Sequence, residues 1–238
     1  MLIPRYRYIR KQSVPILVGP KRETYLVYKD LLAAKSPFFA AQFEGCWDAM
    51  KSEIELLDAD QEASEVVIDW MYTDTLPKRL EPYCLQDHYP WITARRAYKL
   101  ADQLMLPQLQ NAIINSLLRI VRGTKLYWDV DEIEACAKEE LLHTRYFRLI
   151  AKSYVRALMQ YPKDPSKLSA ELPALADQPQ ALIIVLETIN NWNLDCFEDM
   201  YERGFCEYHV HDGPRCDEDV ENFSNKCPCL YDDTTMHE

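Results

Sequence analysis

Apolar and polar positions alternate over short stretches near the start of the chain, then change to a spacing of three and four. Residues 14–18 (VPILV) and 24–28 (TYLVY) are dense in β-branched and aromatic side chains, and Gly19-Pro20-Lys21-Arg22 interrupts them. That pattern predicts two strands joined by a turn. Residues 29–35 read as a short helix. Ser36-Pro37 then supplies a cap with proline at the first helical position, and Phe38, Phe39 and Phe43 share one face of the helix it opens. Residues 53–57 read as a third strand. An acidic cap follows, with a helix whose apolar residues are Ala63, Val66, Val67, Trp70 and Met71. Those spacings are the amphipathic period.

The second half of the chain keeps the helical period. Residues 76–90 hold three prolines and no period, which predicts an exposed loop. Ala97, Leu100, Ala101 and Leu104 form one helical face. Pro107 opens another helix, with Leu109, Ala112, Ile113, Ser116, Leu117 and Ile120 inward. Asp131, with Glu134 three residues on, has the spacing of a capping box. Three stripes follow: Ile133, Cys136, Ala137 and Leu141; then Phe147, Ile150, Ala151, Tyr154 and Leu158; then, after a proline-punctuated connection over 162–179, Leu182, Val185, Leu186 and Ile189. The chain has five glycines; Gly19 lies in the first turn, while Gly45 and Gly123 fall just past helical runs, where a left-handed cap is expected. Strands and helices alternate over short distances in the first part of the chain, and helices alone follow. The class is α+β, with an all-α extension.

The strings Tyr25-Leu26-Val27-Tyr28-Lys29-Asp30-Leu31-Leu32, Lys35-Ser36-Pro37-Phe38-Phe39 and Ile68-Asp69-Trp70-Met71-Tyr72-Thr73 resemble, in order and spacing, the BTB/POZ domain. Family members usually read F-x-V-H-K-x-x-L, S-P-x-F and Y-x-Y-T-G. This chain carries Tyr28 in place of the histidine and Asp74 in place of the glycine, and neither change threatens the fold. Ala97-Tyr98-Lys99-Leu100-Ala101-Asp102 through Leu109-Gln110-Asn111 is similar to the family's closing helical hairpin. The resemblance implies a small, mostly antiparallel sheet capped by helical hairpins, and a protein–protein interaction scaffold. The resulting division is an arm at 1–12, the BTB/POZ domain at 13–124, a helical extension at 125–194 and an acidic tail at 195–238.

Charge divides the chain unevenly. The net charge is −11, yet residues 195–238 alone carry thirteen acids against three bases. Residues 1–30 lean the other way, with seven bases and two acids. They read as a solvated strand edge protected by cations, or as a contact for an acidic partner or for the tail. A general nucleic-acid footprint is not expected, because phosphate binding needs a basic field. No run approaches the roughly 18–20 apolar residues of a membrane span, and the N-terminus lacks a signal-peptide core. The expected address is cytoplasmic, nuclear or both.

The tail holds the one constellation with candidate chemistry. Cys206, His209, His211 and Cys216 lie within eleven residues, and Gly213-Pro214 can turn the chain back on itself. Two thiols and two imidazoles are the ligand set of a closed structural zinc site, although Cys227 and Cys229 could replace a member and incidental placement in a polar tail stays open. The Cys-x-x-His-x-His…Cys pattern resembles the tail of fungal single-BTB proteins. No catalytic or cofactor-binding residue is expected. His88 and His143 are isolated, and Cys46, Cys84 and Cys136 sit in unrelated contexts, Cys136 on an apolar helical face.

The resemblance also carries partners. In the family the first strand and first helix commonly form a homodimer surface, which here implies Leu17, Leu26 and Leu32. Adaptors for cullin-type ubiquitin ligases often carry a hydrophobic-x-Glu motif after the Ser-Pro helix. The matching place is Trp47-Asp48-Ala49, where alanine replaces the glutamate and Asp48 stands one residue early. One residue on a helix turns a side chain by about 100°. The alternative is a transcription-linked regulator that dimerises through the same domain.

Overall fold

The computed structural model describes residues 12–44, 53–80, 91–124, 128–160 and 175–191. The elements in chain order are strands β1 (Ser13–Val18) and β2 (Glu23–Tyr28), helices α1 (Lys29–Lys35) and α2 (Pro37–Glu44), and strand β3 (Ile54–Leu56). Helices α3 (Gln61–Thr73), α4 (Trp91–Gln103), α5 (Pro107–Thr124), α6 (Val130–Lys138), α7 (Arg145–Gln160) and α8 (Pro179–Asn190) complete them. Two compact units divide between Ser116 and Leu117, inside α5.

In the first unit β1 is the middle strand of three. β2 pairs with it antiparallel over six residues, and β3 pairs parallel over three. A middle strand is covered on both edges, and the apolar density of β1 fits that place: Val14, Ile16, Leu17 and Val18 are all buried. Gly19 holds φ +66°, which ordinary side chains resist. Its N–H donates to the Leu56 carbonyl at 3.0 Å, fixing the hairpin turn to β3.

Local chemistry starts the helices where the sequence indicates. The Ser36 hydroxyl accepts from the Phe39 N–H at 3.3 Å, the geometry of an N-cap. The Asp60 carboxylate accepts from the Ala63 N–H at 3.0 Å and caps α3. The predicted stripe of α3 is inward throughout: Ala63, Val66, Val67, Trp70 and Met71 are buried. Each large side chain there contributes about 1.5–3 kcal/mol. α3 packs on α4. Thr93 donates to Glu62 at 2.8 Å, and Arg96 pairs with Asp60 at 2.8 Å. A void of about 10 Å³ lies among Ile16, Phe39, Val67, Met71 and Leu104. That is room for a single water-sized sphere and far short of a ligand pocket.

Several expectations need correction. Part of the predicted 76–90 loop is core: Lys78–Leu80 forms a 3-10 turn, Leu80 is buried, and its carbonyl accepts from the Ser116 hydroxyl. α5 runs through Gly123 to Thr124, so that glycine is a last-turn residue and not a cap beyond the helix. α6 is capped by Asp129, whose carboxylate accepts from Glu132 N–H at 3.4 Å, and Asp131 sits in the first turn. In the second unit α7 and α8 pack together, and α6 packs on both. α8 buries Ala181 and Val185, while Leu186 faces outward. Gly45 lies outside the described residues.

Candidate interaction surface

Strand alternation places Thr24, Leu26 and Tyr28 on one face of β2 and Tyr25 and Val27 on the other. Val27 is buried in the core, so the first set faces outward. Leu26 is 68% exposed, the largest exposure of any described large hydrophobic residue. Its cross-strand neighbour is Pro15. Two residues on, the Tyr28 ring meets Tyr72 edge to face, with centroids 6.2 Å apart and planes at 69°. Such pairs have the geometry that aromatic quadrupoles favour.

Tyr72 stands near the C-terminus of α3, where Asp74 closes the helix. Asp74 holds φ 58°, and its N–H donates to the Trp70 carbonyl at 2.8 Å. Its carboxylate pairs with the Lys35 ammonium, and Lys35 also lies 5.4 Å above the Trp70 ring. The ends of α1 and α3 are therefore tied beside the tyrosine pair. Burial raises the Tyr72 phenol above its ordinary value, partly opposed by a hydrogen bond with the Tyr28 backbone. Burial first, and the Glu65 carboxylate 3.2 Å from its hydroxyl second, also raise the Tyr25 phenol.

The sequence-predicted contact residues separate. Leu26 is on the surface. Leu17 is 6% exposed and Leu32 fully buried, so both belong to the domain's own core. Leu17 is there because β1 is central, and Leu32 because α1 turns it toward the interior. Trp47 and Asp48 lie outside the described residues, as do Cys206, His209, His211 and Cys216. Cys136 is buried on α6, with its thiol 3.9 Å from Glu132, and His143 is exposed in the turn before α7. Sequence reasoning did not bring Tyr28 together with Tyr72, or Lys35 with Asp74. The signal was present: the two departures from the motif, Tyr28 and Asp74, are the residues that contact Tyr72 and Lys35.

Among the described residues no helix is long and apolar enough to cross a membrane. The family model for the BTB/POZ domain matches residues 13–120. The BTB/POZ and MATH domain-containing protein 5 of Arabidopsis thaliana is 35% identical over 60 residues. That match covers 25% of this chain and only 15% of the relative's length. The paired strands, the serine-capped helix, the closing hairpin and the family match agree: residues 13–120 of this chain are a BTB/POZ domain, a protein–protein interaction module.

Proposed function

We propose that the chain is a scaffold or adaptor that associates with a second copy of itself through the outer face of β2. The exposure of Leu26 beside the Tyr28–Tyr72 pair carries the reading. An exposed apolar side chain two residues from a paired tyrosine has the composition of an interface centre. Light scattering after size exclusion tests it. The wild-type chain is expected to run as a dimer and Leu26→Asp as a monomer, with little change in melting temperature because Leu26 contributes little to the fold. A wild-type monomer, or a Leu26→Asp dimer of unchanged affinity, would overturn it.

A finer form is a substrate adaptor for a cullin-type ubiquitin ligase, which rests on the Trp47-Asp48 stretch of the sequence. Capture of a cullin that is lost in Trp47→Ala supports this form; capture that persists removes the stretch from the contact.

A further inference from the structure

Helix α7 is buried almost all round. Tyr146, Phe147, Leu149, Ile150, Ala151, Ser153, Tyr154, Val155 and Ala157 are interior. Among its described side chains, the cations share one narrow sector. At 100° per residue, Arg145, Arg148, Lys152 and Arg156 fall within roughly 80° of one another, over about 16 Å of helix. Arg148 is exposed, Arg145 and Lys152 are half-buried, and Arg156 at 7% closes the inner end.

We propose that this stripe is the docking surface for the chain's own acidic segment, residues 195–221. Charge complementarity carries the assignment: that segment has ten acids and two bases. Connectivity supports it. α8 packs on α7 and ends at Asn190, so the segment begins in the same unit as the stripe. Reach is ample, since about five extended residues match the length of the stripe. Each of the four cations already makes a polar or charged contact. A guanidinium has five donors and an ammonium three, so each can serve more than one acceptor. A row of such pairs, individually weak, acts through its number and is sensitive to salt.

The test uses the full chain. A zero-length carbodiimide couples an ammonium to a carboxylate in contact with it, and mass spectrometry then locates the pair. Docking gives a bond within one chain between Lys152 and a carboxylate of 195–221, and 1 M salt abolishes it. Trypsin provides the second readout, through cleavage at Arg203 and Arg215. In the double variant Arg148→Glu, Lys152→Glu, cleavage there should accelerate roughly five-fold or more at low salt. The singly reversed Lys152→Glu, a milder change, should give an intermediate rate and guards against misfolding of the double variant. Three outcomes overturn the proposal: tail carboxylates coupled only to Lys11, Lys21 or Lys29; coupling between two chains; or equal cleavage rates at all salt concentrations. Equal retention on heparin of the wild type and of a chain with its 195–221 acids changed to amides would show that the segment does not cover the stripe, and would overturn the proposal too.

Discussion

Among the described residues, four other than glycine hold positive φ: Arg22 at 54°, Asp74 at 58°, Met105 at 55° and Glu140 at 63°. Met105 and Glu140 close helices in the same way. Leu106 N–H donates to the Ala101 carbonyl and Met105 N–H to Asp102; Leu141 N–H donates to Cys136 and Glu140 N–H to Ala137. Both are Schellman caps, with a buried leucine sealing each. The glycine rule places caps only where glycine stands, so it pointed to Gly123 and passed over both. Left-handed backbone costs an L-residue about 1–2 kcal/mol, partly offset by the greater freedom of unfolded glycine. Met105→Gly and Glu140→Gly should therefore each raise stability by about 0.5–1 kcal/mol in urea titration, while Met105→Ala should not. Asp74→Gly relieves the same strain but loses the Lys35 pair, a surface contact worth about 0–1 kcal/mol. It should come out near neutral. The tyrosines set a pH limit of their own. The Tyr25 and Tyr72 phenols have folded values above the ordinary value of 10.0, so their share of stability is fully present below that pH. It is lost as pH rises through the folded values. Melting temperature between pH 9 and 11.5 should fall less steeply for Tyr72→Phe than for the wild type; parallel curves would show the phenol is not responsible.

Among the elements, the Ser-Pro junction between α1 and α2 holds more of the domain together than its size suggests. The Ser36 hydroxyl accepts from Phe39 N–H and donates to the Leu104 carbonyl at 2.6 Å, and Ser36 is fully buried. One oxygen caps α2 and satisfies a carbonyl in the turn between α4 and α5. Ser36→Ala removes a cap and leaves a buried acceptor without its donor. The expected loss is about 2–3 kcal/mol, read as a fall in the denaturation midpoint. The cap was legible from Ser36-Pro37 alone; the bond to Leu104, 68 positions away, was not. Helix phase was legible in the same selective manner. α3 has one apolar stripe, and all of that stripe is inward. α8 reads PQALIIVLETIN, apolar on nearly every side, so no single phase stands out. The stripe chosen from its sequence included Leu186, which is 52% exposed. α7 departs in the opposite direction: beyond its predicted stripe it also buries Tyr146, Leu149 and Val155, leaving its cations to mark the surface.

At the scale of the whole molecule, charge and ligand chemistry concentrate in one place. Of the net −11, residues 195–238 supply −10, and the same stretch holds five of the eight cysteines and three of the five histidines. Repulsion among so many carboxylates opposes compaction of the tail. A divalent cation held by two thiolates and two imidazoles would counter it locally, since metal-binding energy at such a site is folding energy. We therefore expect zinc to bind through Cys206, His209, His211 and Cys216. Protein purified without chelator should contain close to one equivalent of zinc. Removing it should speed tryptic cleavage at Arg203 and Arg215 and leave the melting of the BTB/POZ domain unchanged, because the four proposed ligands all lie beyond residue 120. Cys206→Ser with His209→Ala should reproduce the effect of the chelator, and Cys136→Ser should not affect zinc content. Zinc below about a tenth of an equivalent would end the proposal. So would zinc that survives loss of both Cys206 and His209, since it would have to sit on other ligands.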